Sequence, residues 1–166
     1  MRTAAIGTAV FFVLAPGTVV GLIPWWITGW QVHEPLAWWP TQAIGGVLVA
    51  AGLVPAVHAF VQFAKAGGTP APIAPTRRLV VTGFHRYVRN PMYLSLAAAI
   101  TGQALLLGQL SLLLWAAGTL LVTAGFVKVY EEPTLARQFG AEYAEYRHAV
   151  PSWWPRRRPW TPGVSR

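Results

Sequence analysis

The chain contains no cysteine and no aspartate. The first absence excludes disulfides, thiolate metal sites and cysteine nucleophiles. The second leaves acidic chemistry to five glutamates, Glu34, Glu131, Glu132, Glu142 and Glu145. Charge of either sign is scarce, at 11% of 166 residues against about 25% in an ordinary soluble domain. It is also clustered, with long uncharged stretches between the clusters, and 54% of the residues are hydrophobic. This is the pattern of an integral membrane protein. The formal net charge of +8 therefore reflects topology and attraction to anionic headgroups, and nucleic-acid binding is not expected. No metal site is expected either.

The uncharged stretches define the spans. Residues 3–27 form a first apolar run, too long for a signal peptide, with Pro16-Gly17 as a predicted kink. Residues 41–64 form a second, with Pro55 as a further predicted kink. The third apolar region, 91–127, is too long for one crossing and short for two, and "LLGQLSLL" is its polar break. It predicts a tight helical hairpin, 91–107 and 111–128, with arms of about 25 Å against a hydrocarbon core of roughly 30 Å. Of 13 Lys and Arg, Arg2 stands alone, five lie between Lys65 and Arg89, and seven follow from Lys128 onward. Segments 28–40 and 108–110 have none. The positive-inside rule then predicts an all-α protein with four spans, both termini and the 65–90 loop being cytoplasmic. Trp25, Trp26, Trp30, Trp38 and Trp39 fit an interfacial belt at the other side.

The expected parts are two N-terminal spans in 1–64, a basic loop over 65–90, the hairpin over 91–128, and a cytosolic segment over 129–166. "GGTPAPIAPT" (67–76) reads as linker. Pro133 opens the last segment, where Leu135, Phe139, Tyr143 and Tyr146 recur at helical spacing. That stripe predicts an amphipathic helix lying on the membrane or on the hairpin. The tail "PSWWPRRRPW" mixes Trp with Arg and reads as a headgroup-level segment.

Several polar residues could carry chemistry. Asn90-Pro91 is a helix-start signal, with Asn capping and Pro at the first helical position. Beside Arg86 and Arg89 it is either an anchor or an anion site. Glu131 and Glu132 end a predicted membrane helix, where the dipole disfavours a carboxylate by about 0.3–1 kcal/mol. They call for an arginine of the 77–89 segment or a cationic ligand, unless the helix end is simply solvated. His58 and Gln62 share a face of the second span, as either a functional pair or a hydrogen bond between helices. Thr101 and Gln103 read as packing contacts, while Tyr87 and Tyr93 are belt aromatics or site residues. No carboxylate lies inside a span, which argues against a proton-coupled transporter.

"LVVTGFHRYVRNPMYL", an apolar hairpin, and then "EEPTLARQFGAEYAEYRHAVPSWWP" together resemble the isoprenylcysteine carboxyl methyltransferase family. Related membrane phospholipid methyltransferases share much of the pattern. The resemblance covers about residues 79–155. It implies a methyltransferase that uses S-adenosylmethionine without a Rossmann domain and releases S-adenosylhomocysteine. It places the cofactor on the cytosolic side, enclosed by the loop before the hairpin, the hairpin and the C-terminal segment. By motif, Arg89, Pro91 and Tyr93 fill Arg-x-Pro-x-Tyr, Glu131 and Glu132 the acidic pair, and Gly83 the loop glycine. Tyr143, Tyr146 and Arg147 fall in the C-terminal motif, and His85, Arg86, Tyr87 and Asn90 join the implied cofactor site. Arg89, Tyr93 and Glu132 are the implied catalytic residues.

The chain departs from the family in having Asn90 where His is frequent, His85 where Tyr is common, and Ser95 where Gly is common. It also has Ala149 where a basic residue often precedes Val-Pro. The implied reaction is in-line methyl displacement onto a lipid-like or amphipathic acceptor entering from the bilayer. A carboxylate acceptor needs no general base, whereas an amine or hydroxyl needs one, with His85 or a glutamate as candidates. The competing readings are an NADPH-dependent membrane reductase of related architecture and a non-enzymatic four-helix protein, such as a small transporter or assembly factor.

Overall fold

The long apolar runs fold as helices because a chain in lipid must satisfy its own backbone hydrogen bonds. A computed structural model describes residues 14–33, 38–65, 79 and 81–161, without the side chains of 59, 60 and 62–65. The 3–13 part of the first span, the linker 67–76 and the side chain of Gln62 lie outside the described residues. Those residues form five helices and a short 3-10 turn, and no strand. They are α1 (Leu14–Thr28), α2 (Trp39–Lys65), α3 (Pro91–Leu107), α4 (Leu110–Phe126) and α5 (Glu132–Ala149).

Just after Pro16-Gly17, where a kink is expected, residues Thr18–Leu22 form a π turn. The carbonyls of Val19 and Val20 on this turn accept hydrogen bonds from Trp115 Nε1 at 2.9 Å and Gln103 Nε2 at 2.8 Å. Those two bonds fasten α1 to the hairpin. Pro55 lies inside α2 without ending it.

α2 and α3 touch backbone to backbone. A Cβ on Gly45 would come 2.6 Å from the Gly102 carbonyl, and one on Gly102 would come 2.7 Å from the Val49 nitrogen. A Cβ on Gly52 would come 2.5 Å from the Ser95 carbonyl. The three glycines, with Ala56 and Ala99, form a small-residue seam of the kind that lets membrane helices approach closely. Ser95 is buried on this seam and back-bonds to the Pro91 carbonyl at 2.7 Å.

The hairpin turns at Gly108 and Gln109, and its second arm starts at Leu110, one residue before the predicted start. The His33 N–H donates to the Leu107 carbonyl at 2.8 Å, and Gln109 Nε2 donates to the Gln31 carbonyl at 2.9 Å. The turn and the segment after α1 therefore share one end of the molecule.

At the other end the expected stop after residue 128 does not occur. The helix runs on from Leu110 past residue 128 and keeps helical backbone up to Gly140, within a 40-residue helical stretch that ends at Ala149. A π turn over Val127–Glu131 joins α4 to α5, with the Glu132 N–H donating back to the Val127 carbonyl, and Pro133 lies directly after this turn. Glu131 and Glu132 consequently do not face a free helix C-terminus, and the dipole argument for their needing a partner fails. Gly140 then bends α5 with φ 50° and ψ −120°, a conformation open essentially to glycine alone.

α2 and the Leu110–Ala149 stretch are long and apolar enough to cross a membrane, while α1 and α3 are shorter apolar helices. Large apolar side chains point outward along them, among them Val47, Val54, Leu114 and Val122. Leu114 is 77% exposed, which suits lipid and not water. This is an all-helical membrane protein over its described residues.

Candidate active site at the charged end of the hairpin

Gly83 begins the 3-10 turn Gly83–Arg86 with φ 55°, and a Cβ there would run into the His58 ring. The turn therefore presses on α2, and the Phe84 ring meets His58 edge-on at 5.3 Å. His85 is buried behind this contact, and burial lowers its pKa from 6.5 to about 4. Its carbonyl accepts the Tyr146 hydroxyl at 2.8 Å.

Residues 86–90 then run beside the C-terminal tail. The Arg89 N–H donates to the Pro151 carbonyl at 2.9 Å, and the Asn90 N–H to the Ser152 carbonyl at 3.3 Å. Farther along, the Arg156 N–H donates to the Tyr87 carbonyl and the Trp160 N–H to the Arg86 carbonyl, each at 2.9 Å. Residues 150–161 thus form a strap over the entrance to α3. Asn90 departs from its expected role, because its side chain caps nothing. Its amide donates to the Ser152 carbonyl at 3.2 Å, and only its own carbonyl enters the helix, accepting from the Leu94 N–H. Pro91 occupies the first helical position as expected.

Arg89 lies at the centre. Its Nη1 meets Glu132 Oε1 at 2.6 Å and the Tyr143 hydroxyl at 3.2 Å, and its Nε donates to the Val150 carbonyl at 2.9 Å. Nη2 donates to Ser152 Oγ. The side chains of Arg89 and Glu132 are only 12% and 15% exposed, so this ion pair is shielded from solvent. Arg147 Nη2 approaches the other Glu132 oxygen at 3.5 Å from a more open position. Of the basic 77–89 segment, Arg89 is thus the partner of Glu132. Arg86 is engaged elsewhere, donating from Nε to the Trp160 carbonyl and from Nη2 to Thr161 Oγ1, both at 2.7 Å.

Beside this pair, Glu131 Oε2 accepts the Tyr93 hydroxyl at 3.2 Å. Burial raises the Glu131 carboxyl pKa above its ordinary value, and the Glu132 charge adds to the rise, against the Tyr93 hydrogen bond. The Trp153 ring lies 6.5 Å from that of Tyr93. Burial also raises the phenols of Tyr143 and Tyr146, Arg89 opposing it in both. The apolar stripe of α5 packs on the strap and on the loop before α3. Tyr143 and Tyr146 cluster with Val150 and Trp160, against which Leu79, Val81, Leu135 and Phe139 pack.

An open cavity of about 320 Å³ adjoins the cluster, lined by Ala136, Gly140, Tyr143, Ala144, Arg147 and His148. Tyr143 and Arg147 belong to both. The fold therefore brings Arg89, Tyr93, Glu131, Glu132, Tyr143 and Arg147 to one place. It puts His85 and Tyr146 behind them, turns Arg86 and Tyr87 to the strap, and turns Gly83 to α2. Ser152, Trp153 and His148 do not emerge from the motifs. For Ser152 and Trp153 the irregular Pro-Ser-Trp-Trp-Pro composition is the only signal, and it shows that a helix ends without showing where the tail goes.

Neither the curated proteins nor the solved structures gave a significant match. The family model described as phospholipid methyltransferase matches residues 40–142, from α2 through the Glu131-Glu132 pair to α5. That is more than half of the chain and includes both sides of the Arg89–Glu132 pair, and the chain belongs to the phospholipid methyltransferase family.

Proposed function

We propose that this membrane methyltransferase uses S-adenosylmethionine and methylates a lipid-like or amphipathic acceptor. In this reading it spans the bilayer four times, with both termini and the 65–90 loop on the cytosolic side. The observation that carries the reading is the polar cluster joined by Arg89 and Glu132 at one end of an apolar hairpin. The opposite end, at 28–40 and 108–110, has no Lys or Arg, which supports the orientation.

The donor set fits the cofactor. The cofactor carries a carboxylate, an ammonium, an adenosine and a sulfonium, and when bound it supplies an electrophilic methyl group. Arg147 is the most open cation of the cluster and suits the carboxylate. Glu131 and Glu132 suit the ammonium or ribose hydroxyls. Tyr143, with Ala136 and Ala144, provides an aromatic and apolar wall for adenosine in the adjoining cavity. Arg89 holds the site together, since Glu132, Tyr143, Val150 and Ser152 already occupy most of its donors.

The acceptor approaches from the bilayer, beside Tyr93 and Trp153. In-line transfer then depends mainly on holding the nucleophile and methyl carbon about 3–3.5 Å apart. Where the acceptor is an amine or hydroxyl, Glu131 Oε2 takes the proton, its raised pKa strengthening it as a base. His85, lowered to about 4 and buried, is a poor base for this step.

Titration of the detergent-purified protein with S-adenosylmethionine and with NADPH tests the reading. Saturable binding of S-adenosylmethionine, and not of NADPH, is expected. Binding of NADPH alone would end the methyltransferase reading in favour of a reductase.

A further inference from the structure

The strap over residues 150–161 has two sides of opposite character. One side is fixed. Arg156 donates its N–H to the Tyr87 carbonyl at 2.9 Å and its Nη1 to the Ala149 carbonyl at 3.0 Å. Trp160 is buried against Tyr146, ring to ring at 5.6 Å. The residues between and beside these anchors face outward. Trp154 is 83% exposed, and Arg157 and Arg158 are exposed. No acidic residue occurs in 150–161, and neither guanidinium has an acidic partner among the described residues.

Tryptophan is at home at a membrane–water interface, where its apolar body is covered and its N–H stays wet. Adjacent arginines held outward by the same anchors add mutual repulsion with no internal relief. Their position identifies the cover. The anchors attach to residues 86–90, immediately before α3 leaves for the apolar region, so the exposed side stands at the end of the hairpin where lipid headgroups lie. Trp favours that interface, and each Arg near an anionic surface is attracted to it. We infer that Trp154, Arg157 and Arg158 form a docking surface for anionic phospholipid headgroups of the bilayer that holds the chain. Arg156 stays an internal anchor. This surface lies beyond the 40–142 family match and does not depend on methyl transfer.

The lack of cysteine makes the test clean. Pro155, exposed beside Trp154, is replaced in a Pro155→Cys variant of the full chain and labelled with a polarity-sensitive dye. The labelled protein is placed in nanodiscs of phosphatidylcholine alone or mixed with phosphatidylglycerol. The dye emission should shift to the blue only with phosphatidylglycerol, and high salt should reverse the shift. Adding Arg157→Glu and Arg158→Glu should abolish the shift, whereas Arg157→Lys and Arg158→Lys should retain it. Equal emission in both nanodiscs would overturn the inference, as would a shift that survives the double Glu change. A shift produced in phosphatidylcholine nanodiscs by inorganic phosphate alone would also overturn it, by reducing the surface to a simple phosphate site. Binding of S-adenosylmethionine to the double Glu variant, measured separately, should equal that of the native chain.

Discussion

Arg89 and Glu132 are 43 residues apart in sequence and 2.6 Å apart in space. Between them lies the whole hairpin, so this one ion pair closes its two charged ends on each other. The strap is fixed to the same guanidinium through Val150 and Ser152. Removing one member of a shielded pair leaves the other's charge poorly compensated. Arg89→Ala and Glu132→Ala should each weaken S-adenosylmethionine binding by roughly tenfold or more, about 1.4 kcal/mol, while insertion into the membrane persists. Isothermal titration alongside a membrane-fraction assay checks this, and unchanged affinity in both variants would refute the site.

Ser152 separates positioning from contact. Its hydroxyl lies between Arg89 Nη2 and Glu132 Oε1, while its carbonyl receives Asn90. Ser152→Ala removes the hydroxyl and keeps the carbonyl. It should lower stability by about 1 kcal/mol, the usual net value of a hydrogen bond, and Ser152→Thr should recover part of the loss. Thermal unfolding in detergent measures both, and an unchanged melting point for Ser152→Ala would remove Ser152 from the network.

The α2–α3 seam makes a geometric prediction. Gly102→Ala puts a methyl group 2.6 Å from the Gly45 carbonyl, a backbone atom that cannot swing aside. Overpacking of this kind costs about 1–3 kcal/mol. At Gly46, one residue along from Gly45, an added methyl group would meet nothing within 4 Å. Gly46→Ala should therefore be neutral or gain up to about 1 kcal/mol of helix propensity. Equal melting points for the two variants would contradict the close approach.

Buried His85 and half-buried Glu131 give opposite pH dependences. A carboxyl whose pKa is raised by folding supports stability at acid pH and loses that support as pH climbs through the raised value. Glu131 should therefore cost stability as pH rises above the ordinary 4.5 through its raised value, and Glu131→Gln should flatten that limb. His85, lowered from 6.5 to about 4, contributes stability above 6.5 that is lost as pH falls through about 4. His85→Gln should flatten this acid limb. Denaturation across pH for the native chain and both variants distinguishes them, and parallel curves would contradict both assignments.

Much of this architecture is legible in residue order. The sequence places helix α3 at 91–107 and it is found there, because Pro91 and the turn at Gly108 punctuate a uniform apolar run. The long-range consequences are hidden. Asn90 has every local mark of a cap, but the Ser152 carbonyl, 62 residues away, takes its amide instead. Glu131 and Glu132 resemble a helix end because charge stops apolar runs, yet a π turn carries the helix onward. Gly45, Gly52 and Gly102 read as ordinary small residues in apolar helices. Their meaning depends on which helices pair, and hydropathy does not specify that.

The cluster itself is half legible. Opposite charges at the two ends of one hairpin point to each other, and Arg89 does meet Glu132. Which arginine pairs, and that its remaining donors hold a returning tail, depends on the path of residues 150–161.

The most direct test is transfer of labelled methyl from S-adenosylmethionine by the purified chain into a membrane lipid extract, with the product identified. Label should enter a lipid-like acceptor, and Glu132→Ala should lower the transfer in step with its weakened cofactor binding. Failure of the native chain to bind S-adenosylmethionine, or bound cofactor with no label entering any lipid, would contradict the account.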